Sequence, residues 1–236
     1  MKIKVIIPNS SITFRESQVE QRKKAASPGV LVDIVSLPCG PESIESAYDE
    51  ALAAPYIINE VAKAAKEDYD AVTLDCAMDT VVRAARETVK IPVISAGEAS
   101  HLLALGLCRK YSIITVLHST AEAIIENLNK AGLSNRIASV RVAKIPVLEL
   151  DNNEMVFDKI CLQANLAIRE DGAQAIVLGC TGMFWAAERL KRELGIPVID
   201  PGAAAVKLAE VYVSMGLSSS SIAYGRHDSL GEPLST

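Results

Sequence analysis

Two cysteines stand in matching segments of the chain: Ala71-Val72-Thr73-Leu74-Asp75-Cys76 and Ala175-Ile176-Val177-Leu178-Gly179-Cys180 are both apolar runs that end in a thiol. Each thiol is followed by a charged amphipathic stretch and then by Ile-Pro-Val-Ile, at residues 91–94 and 196–199. A duplicated strand–thiol–helix–strand unit puts one cysteine on each side of a shared space. That is the requirement of a two-base proton transfer at carbon, in which a thiolate takes a proton from one face and a thiol returns one to the other. Both thiols are expected at the carboxyl end of a strand and at the start of a helix. Unsatisfied N–H groups and the macrodipole there would lower a cysteine pKa of about 8.5 toward neutrality. A lone strand-end cysteine more often just packs, but core cysteines that only pack have no reason to repeat at equivalent places.

The elements that carry them follow an alternating pattern. Lys2–Ile7 and Leu31–Ser36 are short β-branched runs ended by turn residues, with a polar, Lys-rich helical stretch between them. Ser43–Lys66 has apolar residues at helical intervals, Tyr69–Leu74 reads as a third strand, Thr80–Thr88 as a helix and Ile91–Ile94 as a fourth strand. Gly97–Leu107 reads as a joining helix, after which the plan repeats through Tyr111–Leu117, Ala121–Lys130, Ile137–Val142, Asn153–Asp171, Ala175–Leu178 and Ile196–Ile199. Such alternation with short connections predicts parallel sheets with right-handed crossovers. The fold expected is α/β: two pseudosymmetric Rossmann-like lobes, each a mainly parallel sheet flanked by helices, with the active site between them. Residues 1–97 form the first lobe, completed by 205–236, and 98–204 form the second. The Ala-rich stretch Pro201–Met215 is expected to cross back over the first lobe, and the Ser- and Gly-rich end from Gly216 to close over a site or fray.

Bulk properties narrow the function. With 236 residues, 50% of them hydrophobic, the chain can bury a large core without staples. A net charge of −5, with no basic block, argues against a nucleic-acid partner. No run is long enough to span a bilayer, so no membrane partner and a cytoplasmic location are expected. Five scattered cysteines without CxxC pairs or Cys/His clusters suggest neither disulfides nor a metal site. GxGxxG, GxxxxGK(S/T) and GxSxG are all missing, which removes support for dinucleotide, P-loop and hydrolase-elbow chemistry. The remaining expectation is a small-molecule substrate handled without a cofactor, in a chain whose Ala-rich helical surfaces suit a homo-oligomer.

Other candidates have plainer readings beside a functional one. Asn9 after Pro8 is by propensity a turn or capping residue. His118 stands at the matching loop of the second lobe and is a weak substrate-binding candidate, since a lone strand-end histidine more often caps or faces solvent. His101 and His227 read as structural or solvated, Cys39 as a residue able to line the site, and Cys108 and Cys161 as inert. Glu42, Glu45, Asp49 and Glu50 read as a solvated helix start.

Several segments together resemble the aspartate/glutamate/hydantoin racemase superfamily, and within it the hydantoin and allantoin racemase branch. They are Val5-Ile6-Ile7-Pro8-Asn9-Ser10, Gly40-Pro41-Glu42-Ser43-Ile44-Glu45 with Tyr48-Asp49-Glu50, Leu178-Gly179-Cys180-Thr181-Gly182-Met183, Pro92-Val93-Ile94 leading to Gly97-Glu98-Ala99, and Asp200-Pro201. The resemblance implies that Cys76 and Cys180 are the paired acid and base and that Asn9 is a substrate-binding amide. It also implies that Thr181 and neighbouring main-chain N–H groups, those of Ala77 and Gly182 among them, anchor a carbonyl or carboxylate. The first thiol loop, Asp75-Cys76-Ala77-Met78-Asp79, departs from the branch: it lacks a Gly- and Pro-containing turn and a polar equivalent of Thr181, and Val116 stands where a hydroxyl is expected. Met78 and Asp79 favour a neutral ring over a dianionic amino acid. The activity expected is a cofactor-independent racemase or epimerase acting beside a carbonyl, on a 5-substituted hydantoin or related cyclic ureide. The alternatives are an Asp/Glu-type amino-acid racemase, an enzyme like maleate isomerase or arylmalonate decarboxylase on the same scaffold, and a non-catalytic small-molecule binding protein.

Overall fold

Apolar runs four to six residues long, too short for helices, become the central strands of two sheets. The computed structural model describes residues 1–150 and 152–225. In the first sheet, β1 (Lys2–Ile7), β2 (Leu31–Ser36), β3 (Ala71–Leu74) and β4 (Val93–Ser95) lie in the order β2-β1-β3-β4. In the second, β5 (Tyr111–Thr115), β6 (Ile137–Val142), β7 (Ile176–Leu178) and β8 (Val198–Ile199) lie in the order β6-β5-β7-β8. All pairings are parallel, and the registers correspond: Val5 pairs with Ile34 and Thr73 in one sheet, Ile113 with Val140 and Val177 in the other. The central strands are almost wholly buried and read as mainly apolar runs, with Lys4, Thr73, Ser112 and Thr115 buried among the aliphatic residues, whereas the edge strands β2 and β6 are more exposed.

Helices α1 (Ile12–Ala25), α2 (Ala47–Lys66), α3 (Val82–Thr88) and α4 (Ala96–Leu107) come from the first half of the chain; α5 (His118–Lys130), α6 (Glu154–Asp171), α7 (Ala187–Leu194) and α8 (Pro201–Ser214) come from the second, and α8 crosses back to the first sheet. Side chains fix several starts, with Ser11, Ser46, Asn153 and Asp200 accepting from the amides of Phe14, Asp49, Val156 and Gly202. Helix α8 packs on α1 and α4 and on strands β1, β3 and β4, while α4 reaches β7 and β8. The closing helix of each half thus ties the two sheets together. Residues 226–236, including His227, lie outside the described residues. Tyr224, just before them, lies against Arg86 of the first lobe with its hydroxyl 3.3 Å from Nη1.

Several element bounds shift by a few residues, and two of the shifts have a clear local cause. The third strand begins at Ala71 and not Tyr69, because the Tyr69 amide closes the end of α2 on the Ala64 carbonyl and Asp68 takes a positive φ. Helix α3 begins at Val82, six residues past Cys76, after a left-handed Val81.

Candidate active site

The carboxyl ends of β3 and β7 bring Cys76 and Cys180 to a single narrow cavity of about 30 Å³, also lined by Asn9, Asp75, Ala77, Met78, Val116, Thr120 and Thr181. A single buried water needs about 10–15 Å³, so this is a slot and not an open cleft. Each lobe holds the other's thiol loop in place. The Asn127 amide on α5 donates to the Met78 carbonyl at 2.6 Å, and the Thr181 hydroxyl donates to the Asp75 carbonyl at 3.2 Å. Where the first lobe has Asp75 before its cysteine, the second has Gly179, and the reason is space: a Cβ there would come within 2.8 Å of Ile113 and Thr115 side chains of β5.

The electrostatics correct the expectation of thiols tuned toward neutrality. Cys76 precedes an irregular turn and Cys180 caps a 3-10 turn, Thr181–Ala186, so neither begins an α-helix. Burial dominates and pushes both thiols up to about 12. What opposes burial is local and repeated: each sulfur faces the main-chain N–H of the residue two further on, Met78 for Cys76 and Gly182 for Cys180. Cys76 has in addition the Thr80 hydroxyl at 3.4 Å.

Behind the slot lies a buried ionic network. Arg22, 0% exposed on α1, donates through Nε to Asp75 at 3.0 Å and through Nη2 to Gln18 at 2.8 Å and the Thr181 carbonyl at 3.2 Å. Its Nη1 lies 3.6 Å from Asp200 at the start of α8. Burial pushes the Asp75 carboxyl up, and Arg22 opposes that shift. Gly202 is needed beside it, since a Cβ there would come within 2.3 Å of the guanidinium. One cation thus joins the loops after both strands to α1 and α8.

Asp79 closes the Cys76 loop. Its Oδ1 accepts from the Ser95 hydroxyl and from the Glu98 amide, at 2.9 Å for the amide, and Gly97 leaves room for it. Burial raises this carboxyl to about 7, with the Ser95 hydrogen bond opposing. An acid whose folded pKa lies above its unfolded value of about 3.9 contributes stability below pH 4 that is lost as pH rises through 7. Asp79→Asn keeps the acceptor oxygen and tolerates the positive φ of this residue. Relative to wild type, the variant is therefore expected to gain urea stability steadily between pH 4 and 7, and parallel pH profiles for the two proteins would contradict this.

Of the residues named from sequence, Asn9, Ala77 and Thr181 line the slot with the two cysteines. Asn9 Oδ1 accepts from the Ser11 amide, so its NH₂ group is the part left to face a ligand. Gly182 instead lines a second cavity of about 470 Å³, which shares Phe14 and Val147 with the slot and is walled by Leu148, Leu150, Phe184 and Trp185. His118 is the first residue of α5 and lines neither cavity. Cys39 is exposed and away from both, and His101 is buried against Tyr111 with ring centroids 5.7 Å apart. The solvated reading of the α2 start is corrected: Glu45 accepts from the Val147 amide at 2.7 Å across the lobes, and Glu50 from the Thr80 hydroxyl at 2.9 Å. Sequence reasoning missed Arg22 and Thr80, and gave Glu50 and Asp200 no part in the polar network around the thiols. Among the described residues no group of three or more His, Cys, Asp or Glu side chains is arranged to hold a metal ion.

Two parallel α/β lobes of identical strand order, with equivalent loops meeting at a common cavity, place the chain in the class of pseudosymmetric two-lobe proteins with a ligand slot at the strand ends. It belongs to the Asp/Glu/Hydantoin racemase family, whose sequence profile matches residues 3–209. The chain is 36% identical over 223 residues to a hydantoin racemase of Pseudomonas sp. (strain NS671), covering 94% of this chain and 90% of that one. Its structure is similar to the allantoin racemase from Klebsiella pneumoniae, with TM-score 0.92 and 34% identity over 98% of this chain and 96% of that one. It is equally similar to the allantoin racemase AllR from Pseudomonas fluorescens, with TM-score 0.92 and 35% identity over 98% and 99% of the two chains.

Proposed function

We propose that this racemase inverts the carbon beside a carbonyl of a 5-substituted hydantoin or related cyclic ureide, without a cofactor, using Cys76 and Cys180 as base and acid. The observation that carries the reading is the pair of half-buried thiols, one from each lobe's equivalent strand end, lining one narrow slot. One thiolate takes the ring proton, the electrons move onto the adjacent carbonyl, and the opposite thiol delivers a proton to the other face. The first sulfur is then a thiol and the second a thiolate, so the next turnover runs from the opposite enantiomer or follows exchange of the two protons. Donors for the enolate oxygen are the Asn9 NH₂ group and strand-end amides, and the slot, about 30 Å³ as it stands, must widen to admit the ring. A thiol raised by burial makes a scarce but strong base, suited to a carbon acid weaker than itself.

Substrate class follows from the same walls. A flat ring suits a slot, and the second cavity beside Phe14, walled by Leu148, Leu150, Phe184 and Trp185 and also by Ser11, Thr13, Ser17, Gln18 and Asn152, has room for a ring substituent. Among the described residues no basic side chain lines either cavity, which disfavours the second carboxylate of aspartate or glutamate. The test is a screen of single enantiomers by polarimetry. Optical rotation is expected to decay with 5-alkyl or 5-arylalkyl hydantoins and to hold with aspartate and glutamate; decay with the free amino acids alone would overturn the substrate reading.

A further inference from the structure

The two thiols share a fold position but not a second layer of polar groups. Thr80, 1% exposed, has its hydroxyl oxygen 3.4 Å from the Cys76 sulfur and 2.9 Å from Glu50 Oε1 on α2. At the corresponding distance beyond Cys180 the chain has Phe184, and the facing part of α6 carries Phe157. Cys180 therefore has its Gly182 amide and no hydroxyl–carboxylate chain. Thr80 has a single hydroxyl proton and cannot donate to both neighbours. With Glu50 ionised that proton goes to the carboxylate, and the Thr80 oxygen accepts from the Cys76 S–H. With Glu50 protonated the chain reverses: Glu50 donates to Thr80, and Thr80 donates to a Cys76 thiolate. Glu50 is only half-buried, so its outer end meets solvent while its inner end meets Thr80.

We infer that Thr80 and Glu50 form a proton relay for Cys76 alone, carrying its proton between the slot and the solvent-facing end of Glu50. The step balances: the S–H bond breaks as its proton passes to the Thr80 oxygen, the Thr80 O–H proton passes to the Glu50 carboxylate, and the negative charge moves from Glu50 to sulfur. The negative charge only moves from Glu50 to sulfur, so the relay gives the half-buried thiol a route to thiolate that adds no new charge to the protein, whereas direct loss of its proton to water does. The charged groups around the chain are Asp79 and Cys180 near Cys76, and Lys130 and Glu126 of α5 near Glu50. Burial raises the Glu50 carboxyl above the ordinary range, opposed first by the Thr80 hydrogen bond, and a raised carboxyl is the better acceptor from a thiol. Glu50 and Thr80 act through Cys76 and are positioning residues.

The relay rests on the acid–base reading of Cys76, but its test does not need turnover. Iodoacetamide alkylation of Cys76 and Cys180 is followed peptide by peptide by mass spectrometry from pH 6 to 9, in wild type, Glu50→Gln, Thr80→Val and Thr80→Ser. In wild type the Cys76 rate is expected to rise by less than tenfold per pH unit, because Glu50 takes the proton internally. In Glu50→Gln it rises the full tenfold per unit and is faster than wild type at pH 8, since the opposing charge is gone and Thr80 is free to donate to sulfur. Thr80→Val slows it, Thr80→Ser restores the wild-type profile, and Cys180 keeps one profile throughout. Equal Cys76 slopes in wild type and Glu50→Gln, or a Cys180 profile that moves with Cys76, would overturn the relay. Failure of the acid–base reading appears separately, as undiminished racemisation in Cys76→Ala.

Discussion

Arg22→Met is expected to cost about 3–5 kcal/mol of stability, because it leaves carboxylates buried without their cation. Arg22 is wholly enclosed, and the Asp75 and Asp200 carboxylates it faces are 1% and 8% exposed. The guanidinium also donates to Gln18 and to the Thr181 carbonyl. Methionine matches the length of the side chain but supplies no donor, so the loss is the desolvation of two acids and a carbonyl, and not merely one hydrogen bond. Asp75 then moves further toward its protonated form. Because this carboxylate immediately precedes Cys76 and the Thr181 carbonyl immediately follows Cys180, the damage reaches both thiol loops. Urea unfolding at pH 7 measures it, and a loss under about 1 kcal/mol would show that the network is not what joins the loops.

Cys76→Ala and Cys180→Ala are each expected to lower the rate of racemisation by about 10²–10⁴-fold, the usual contribution of a positioned acid or base. Neither thiol has a stand-in. Among the described residues the titratable group lining the slot besides the cysteines is Asp75, whose Oδ2 is held by Arg22. The double variant is expected to be little worse than either single one, because acid and base act as a unit and the first loss already stops inversion. Stability should change little, since alanine fills most of a site whose cavity is already small. The decay of optical rotation from one enantiomer measures all three variants, and a single variant within tenfold of wild type would contradict the assignment.

How much of this was legible in the chain depended on whether the cause was local. The strands were readable because both faces of β1, β3, β5 and β7 are buried, and burial of both faces writes itself as an apolar run. The convergence of Cys76 and Cys180 was readable because duplication repeats the strand ends. Their environment was not. The expected helix starts were displaced by the left-handed Val81 and by the 3-10 turn after Cys180, which no residue pattern there announces. Arg22 sits in a polar stretch rich in Lys, Gln and Glu that reads as solvated, and its partners are distant in sequence. Glu50 reads as a favourable charge in the first turn of α2, and only the fold brings Thr80 against it.

The central claim is that the two thiols serve opposite faces of one carbon. Incubating each enantiomer of a 5-substituted hydantoin in D₂O, and following its ring proton by NMR, tests that claim most directly. Wild type is expected to exchange and invert both enantiomers. Cys76→Ala should exchange the proton of one enantiomer without inverting it, and Cys180→Ala that of the other. Exchange of the same enantiomer by both variants, or inversion by either at the wild-type rate, would contradict the account.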